Sequence, residues 1–363
     1  MVGIITFHTA INYGGILQSF ALQESIKRLG VAVEIIDYQC PHFEKQYKKV
    51  GENPIHKIKK IASAFVKNGI LKRNIEGFNR FKTEYLNLSS EYNENNITEA
   101  NGVYDIFITG SDQVWSPICA GFDKHYFLDF VYEGNKKNSY AASFGQNSID
   151  DSLKHRYKEL LSGFNKISVR EKSGVLLVKE LVDRECECVL DPTLLLSKSE
   201  WASYISKIKY PKYEYVLVYM IEEDKDLLDG AKKYAKKYGM KVIYINDRVH
   251  KYPGVINLRN VDPDVWVSLF YHAMKVYTNS FHGVVFSLNF NKPFLVQLLP
   301  SNRIVGDRIT NVLDTFSIME AMNIELDDKY VFDYDEINNK IGKLRRESMD
   351  FLASIVREND YGE

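Results

Sequence analysis

Residues 2–38, "VGIITFHTAINYGGILQSFALQESIKRLGVAVEIIDY", narrow the fold more than any other part of the chain. An apolar run at 2–7 gives way to a polar loop, and Leu17, Ala21, Leu22, Ile26 and Leu29 then recur at helical spacing until Gly30 stops the helix. "VAVEIIDY" follows as a second strand. A strand, helix and strand in this order form a parallel-sheet unit of an α/β fold. Open α/β sheets bind ligands beyond the carboxyl ends of their strands, so Asn12, Tyr13, Gly14 and Gly15 are expected at such an edge and are taken as acceptor-side candidates.

The alternation continues. "YDIFITG", "NSYAASFG", "KISVRE" and "CVLDPTLLL" read as strands of the same sheet, with helical stretches such as "SGVLLVKELV" among them. After a linking helix and Pro211 the pattern restarts with "YVLVYMI", "KVIYIN", "VINL", "KVYTN" and "FLVQLL", interleaved with helices. The expected organisation is α/β, with two Rossmann-like domains facing across a cleft. Residues 1–206 form the first, 207–334 the second, and an amphipathic helix at 335–363 packs back on the first.

A helical, basic insertion interrupts the first domain at residues 42–83, with eleven Lys or Arg against three Glu in a chain whose net charge is −1. Such a helix either lies on an anionic membrane surface or is a solvated helix packed on its domain. The near-zero overall charge argues against nucleic acid as a partner. A chain of 363 residues suits two domains of ordinary size. Cys40, Cys119, Cys186 and Cys188 lack C-x-x-C spacing and read as reduced cytoplasmic thiols. No signal peptide is expected at the N-terminus, and no window is long and apolar enough to cross a membrane. The chain is therefore expected to be soluble and cytoplasmic, with peripheral contact at the inner membrane face through residues 42–83.

Chemistry is sought at the strand ends. "KVYT" is read as a strand, "NSFHG" as the strand-to-helix turn and "VVFSLNF" as the helix that follows. Helix starts present unpaired N–H groups and partial positive charge, which attract anions. Ser280 can cap this helix, Gly283 permits close backbone approach, and His282 adds a side chain that changes charge near neutral pH. A histidine at a turn is otherwise commonly structural. In "IFITGSDQVW" Asp112 could deprotonate a sugar hydroxyl and Trp115 could stack on its ring, the alternative being that Asp112 merely caps a helix. Arg170 ends an apolar strand, where a guanidinium needs an anionic partner. That partner is either a bound phosphate or, more simply, Glu171 or Asp191. No P-loop, H-E-x-x-H or paired metal-ligand pattern occurs, so neither a metal nor a cofactor is expected.

"NYGGILQSFALQ", "YDIFITGSDQVW", "YAASFG", "ISVREKSG", "VLDPTLLL", "YTNSFHGVVFSLNFNKPFLV" and "SNRI" occur in this order, and together they make the chain resemble the polysaccharide pyruvyl transferase family over nearly its full length. The resemblance implies a fold like that of GT-B glycosyltransferases. It also implies transfer of a pyruvyl group from phosphoenolpyruvate, as co-substrate, to two hydroxyls of one sugar, forming a cyclic ketal in polysaccharide or glycoconjugate biosynthesis. Carried over by position, Arg170 and His282 match residues used at phosphoenolpyruvate, and Asp112 matches an acidic residue near the reacting centre. The donor side then comprises Arg170, the helix start Ser280, Phe281, His282 and Gly283, and Arg303 of "SNRI". The catalytic roles fall to Asp112, His282 and Arg170, with acid and base assignments interchangeable. The acceptor is a sugar or oligosaccharide, lipid- or nucleotide-linked. Two rival readings are a nucleotide-sugar glycosyltransferase of the same architecture and a non-catalytic sugar-binding protein.

Overall fold

The computed structural model describes residues 1–43, 58–248, 250–298, 303–322 and 330–357, the side chains of 58–68 and 303–307 excepted. Two compact units emerge: Met1–Lys48 with Lys82–Leu196 and Ile341–Glu363, and Lys49–Phe81 with Ser197–Lys340.

The first unit is built on β1 (Val2–Ile5), β2 (Val33–Tyr38), β3 (Leu88–Tyr92), β4 (Ile106–Thr109) and β5 (Lys137–Ser139), all parallel in the order β3-β2-β1-β4-β5. Ile4 is in register with Ile35 on one side and Ile108 on the other. Successive side chains of a strand point to opposite faces, and the core divides accordingly. Ile4, Ile35 and Ile108 pack with Leu22 and Ile26 of α1 (Tyr13–Arg28) and with Phe351, Leu352 and Ile355 of the last helix. Their neighbours Ile5, Ile36 and Phe107 pack with Tyr157 and Leu161 of α3 (Asp151–Ser162) and Leu177 and Val178 of α4 (Lys172–Val182). A short pair, β6 (Ser168–Val169) and β7 (Glu187–Cys188), completes the unit.

The second unit repeats the plan with β8 (Tyr215–Tyr219), β9 (Lys241–Ile245), β10 (Ile256–Leu258), β11 (Lys275–Thr278) and β12 (Phe294–Val296), parallel in the order β10-β9-β8-β11-β12. Val216, Val218 and Tyr277 face Leu227, Leu228 and Ala231 of α6 (Lys225–Lys237). Elsewhere in the unit, Trp266 of α7 (Pro263–His272) meets Phe286 of α8 (Phe281–Asn289) edge to face, centroids 5.1 Å apart.

The unit boundaries differ from those expected at 206/207 and 334/335. Ser197 and Glu200 form a reciprocal capping box that starts α5 (Lys198–Tyr204), and Trp201 of that helix packs 5.1 Å from Phe286, so the second unit begins at Ser197. The insertion is also relocated. It was placed in the first domain, but α2 (Ile58–Tyr85) belongs through Phe81 to the second unit. Specific polar contacts hold it there: Arg80 Nη2 lies 2.8 Å from Asp262 and 3.0 Å from Asp264, and Asn260 donates to Asn74 Oδ1 and the Ile70 carbonyl, both at 2.6 Å. Residues 44–57 and the side chains to 68 lie outside the described residues, and with them most of the basic charge assigned to the insertion. Helix α9 (Arg303–Thr315) and the last helix, α10 (Tyr334–Arg357), follow; from Ile341 onward α10 belongs to the first unit, where Ser348 accepts from the Leu190 amide at 3.0 Å.

Candidate functional site

In a sheet ordered 3-2-1-4-5 the chain leaves strands 1 and 4 in opposite directions, which opens the edge at which ligands bind. In the first unit the segments beyond β1 and β4 meet at this point. Asn12 caps α1 by accepting from the Gly15 amide at 3.2 Å. A Cβ at Gly15 would lie 2.8 Å from the Phe7 carbonyl and 3.6 Å from Asp112 Oδ2, so the bare backbone lets the helix start come close to that carboxylate. Asp112 itself takes a left-handed φ of 69°, a conformation in which Asp is enriched among non-glycine residues. Of the acceptor-side candidates, Asn12 is exposed, whereas Tyr13, Gly14 and Gly15 are buried in the first turn.

Gln18 holds this loop and was not singled out from sequence. Fully buried, it donates through Nε2 to Thr6 Oγ1 at 2.6 Å and to the Gly15 carbonyl at 2.8 Å, and its Oε1 accepts from the Ser111 amide at 3.0 Å. The only signal was a polar residue at a core-facing helical position, between Leu17 and Ala21. Gln18→Leu is expected to strand the Ser111 N–H and lower stability by about 1–3 kcal/mol, read as a fall in denaturation midpoint together with reduced turnover. His8, also overlooked, is buried just past β1, its Nδ1 3.1 Å from the Thr6 carbonyl and its Nε2 2.9 Å from Asp37 Oδ1. Burial pushes the Asp37 carboxyl up, but His8 and Lys82 more than offset this and hold it below the usual range.

Arg170 reaches the same place from the end of β6. Its Nε lies 3.1 Å from Glu171, Nη1 2.9 Å from Asp191 and Nη2 3.7 Å from Asp112, with 2% of the side chain exposed. Burial opposes the charge, but these three carboxylates more than compensate and keep the guanidinium protonated. The expectation that Arg170 offers its fork to a substrate dianion is therefore corrected. One buried cation already faces three carboxyl groups, and the plainer alternative, pairing with Glu171 and Asp191, is what the structure contains. Ser143 extends the network by donating to Glu171 at 2.8 Å, while its amide donates to the Asp112 carbonyl at 3.0 Å. Asp112 is thus fixed from both its backbone and its side chain.

Trp115 also needs correction. It is fully buried, donates through Nε1 to the Tyr126 carbonyl at 3.2 Å and stacks on Phe127 at 5.7 Å and 12°. Its ring faces are used by the core, so it cannot stack on a sugar.

In the second unit, Asn279 ties the segments beyond β8 and β11 together, accepting from the Ile221 amide at 2.8 Å and donating to the Glu222 carbonyl at 2.7 Å. Helix α8 begins at Phe281, three residues before the expected start at Val284, so His282 stands within its first turn. Ser280 caps it as predicted, accepting from the Gly283 amide at 3.3 Å. Gly283 serves helix–strand packing: a Cβ there would lie 2.2 Å from Thr278 Oγ1, so the close approach is to β11. His282 is 8% exposed and meets Phe281 edge to face at 5.1 Å. Arg308 of α9, buried to 9% exposure, places its guanidinium carbon 5.6 Å from the Phe281 ring centre. Sequence reasoning had selected Arg303 from the same helix, whose side chain lies outside the described residues. Among the described residues no His, Cys, Asp and Glu group has the arrangement to hold a metal ion, and no helix is long and apolar enough to cross a membrane.

A model of the polysaccharide pyruvyl transferase family matches residues 12–296. A search of curated proteins returned no match. Among solved structures, a Listeria monocytogenes protein described as a UDP-N-acetylglucosamine 2-epimerase is 11% identical, covers 100% of this chain and 97% of its own, and aligns with a TM-score of 0.54. Arabidopsis thaliana UGT89C1 complexed with quercetin is 9% identical over 97% of this chain and 98% of its own, with a TM-score of 0.46. Acinetobacter baumannii MurG is 9% identical over 98% and 99%, with a TM-score of 0.41. At such identities the likeness to the Listeria protein speaks for the fold alone, which is GT-B-like with two Rossmann-like units.

Proposed function

This chain belongs to the polysaccharide pyruvyl transferase family, and from that premise we propose that it moves the pyruvyl group of phosphoenolpyruvate onto two hydroxyls of one sugar as a cyclic ketal. The observation that carries this reading is Asp112, held at the switch point of the first sheet against the start of α1 and pinned by Arg170. The family match spans the residues that build this arrangement.

A proton adds to the methylene carbon of phosphoenolpyruvate, making a methyl group and a cation at the neighbouring carbon. One sugar oxygen bonds to that carbon, the carbon–phosphate oxygen bond breaks, and the second sugar oxygen bonds in its place. Of the two hydroxyl protons released, one balances the proton taken up by the methyl group and the other leaves on phosphate. Asp112 accepts a hydroxyl proton, and His282 delivers a proton or stabilises the departing phosphate. Arg170 acts as a positioning residue that orients Asp112. The dianionic donor draws its positive charge from the start of α8 and from Arg308. The acceptor sugar is lipid- or nucleotide-linked and the reaction takes place in the cytoplasm.

Mass spectrometry of sugar acceptors incubated with phosphoenolpyruvate is expected to show the gain of one pyruvyl group with stoichiometric phosphate release. Stabilisation by UDP or GDP, with no response to phosphoenolpyruvate and no phosphate released, would overturn the reading in favour of glycosyl transfer. Arg308→Ala is expected to raise KM for phosphoenolpyruvate about 10- to 100-fold, the loss of a charge-assisted contact, with a smaller change in kcat. An unchanged KM would remove Arg308 from the donor site.

A further inference from the structure

At the amino-terminal edge of the second sheet, opposite the edge where α8 begins, four basic side chains gather from four separate elements. Lys198 opens α5, Lys212 precedes β8, His272 ends α7, and Lys292 lies between α8 and β12. The Nζ atoms of Lys198 and Lys292 are each 5.9 Å from the centre of the Tyr271 ring. Lys212 Nζ stands 3.8 Å over Tyr210, which stacks on the His272 imidazole at 3.4 Å and 11°. None of the three lysines forms an ion pair with a described residue. The nearby Glu200 carboxylate is turned back onto its own helix cap, accepting from the Ser197 amide and hydroxyl, both at 2.6 Å.

Two members of the cluster are anchored. The Lys292 amide donates to the Ser287 carbonyl at 2.8 Å, and its carbonyl accepts from the Tyr334 hydroxyl. His272 uses Nδ1 on the Ser268 carbonyl at 2.9 Å, which leaves Nε2 as the ring atom for another partner. The four groups also act on each other electrostatically. Burial, reinforced by Lys198, pushes the Lys292 ammonium down to about 8. Burial lowers His272 as well, with Lys292 and Lys212 adding to it against the opposing Ser268 carbonyl. Like charges held at fixed positions without a counter-charge are stabilised when an anion arrives.

We propose that Lys198, Lys212, His272 and Lys292 form a binding site for a phosphate group, carried by a lipid headgroup or free in solution. Three ammonium groups supply the several donors that a phosphate accepts, and the His272 imidazole, whose Nε2 is an acceptor while its Nδ1–H serves the Ser268 carbonyl, becomes a further donor once the phosphate's charge draws a proton onto it. The same edge exposes Tyr213 to 42% and Met274 to 43%. Side chains of this amphipathic or apolar kind seat in the interfacial layer of a bilayer. The site is separate from the residues assigned to pyruvyl transfer and does not depend on that assignment.

The test uses the full chain and the triple variant Lys198→Gln, Lys212→Gln, Lys292→Gln. Thermal unfolding is followed with inorganic phosphate against chloride at matched ionic strength, and co-sedimentation is measured with vesicles of phosphatidylcholine alone or mixed with phosphatidylglycerol. The native chain is expected to respond to inorganic phosphate, to the anionic vesicles, or to both. A response to phosphate without vesicle binding identifies a soluble source, and vesicle binding without a phosphate response identifies a lipid one. Where vesicles bind, the triple variant should bind about a hundredfold more weakly, at roughly a factor of five per lysine. In chloride it should unfold close to the native midpoint, since the mutual repulsion relieved offsets the loss of the ammonium contacts with Tyr210 and Tyr271. The single variant Lys292→Gln provides the same comparison should the triple variant misfold. No response in either arm, or equal responses from native and variant chains, overturns the proposal.

Discussion

Asp112→Asn and His282→Ala are each expected to leave the chain folded and to lower pyruvyl transfer from phosphoenolpyruvate by about 10²–10⁴, the range for losing one general acid or base. Asn keeps the size of Asp and can remain beside Gly15 and Arg170, but it cannot take up the hydroxyl proton. Because Asp112 is 8% exposed and Arg170 Nη2 lies 3.7 Å away, the substitution changes the chemistry with little change in packing. His282 sits in the first turn of α8, whose cap Ser280 and tightly packed Gly283 do not require the imidazole. Single-turnover phosphate release and mass spectrometry of the acceptor would measure both variants, with circular dichroism to check the fold. Near-normal turnover in either one would remove that residue from the mechanism.

Arg170→Met is the second large effect, and it falls on stability. Met approximates the length of the arginine stem but leaves Glu171, Asp191 and Asp112 without their shared cation, two of them within 3.1 Å of its present position. Breaking a buried ion pair by removing one partner costs about 3–5 kcal/mol, because the remaining charge stays buried and uncompensated. A two-unit chain need not unfold in one step, so a probe confined to the first unit is needed. Trp115 is the only one of the three tryptophans in that unit. Its resonance in a fluorotryptophan-labelled chain, followed through denaturant, should therefore move to lower midpoint while Trp201 and Trp266 change less. Adding Asp191→Asn should restore part of the loss, a non-additivity expected of groups in one network. If Arg170→Met unfolded at the native midpoint, the network would not be the structural centre described above.

Reading the sequence recovered the elements better than their partners. Leu17, Ala21, Leu22 and Ile26 announced α1, short apolar runs announced β1, β2 and β8, and Ser280 announced the cap of α8. Each of these signals is local, written by the repeat of the backbone itself. Trp115 shows the limit: its place after Asp112 at a strand end was correct, but whether an indole at that position faces solvent or core depends on Phe127, Phe144 and Phe164, which close over it. Arg308 was missed in favour of Arg303 because nothing in "SNRIVGDR" says which arginine meets Phe281. The insertion was assigned to the wrong unit for a similar reason. Its attachment rests on Arg80 and Asp264, which are 184 positions apart in the chain.

Two alternating α/β halves, their helix starts and the polar residues at their strand ends followed from the amino-acid order alone, because periodicity and capping are set by neighbours within a turn or a pleat. Which charges meet was decided only by the tertiary structure. Gln18 reaches Ser111 across 93 positions and Arg170 reaches Asp191 across 21, and such pairings exist only after parallel strand order has brought distant loops to one sheet edge. Arginine's commitment to three carboxylates, and the gathering of four basic groups at the far edge of the other sheet, are consequences of that long-range geometry, to which local spacing is blind.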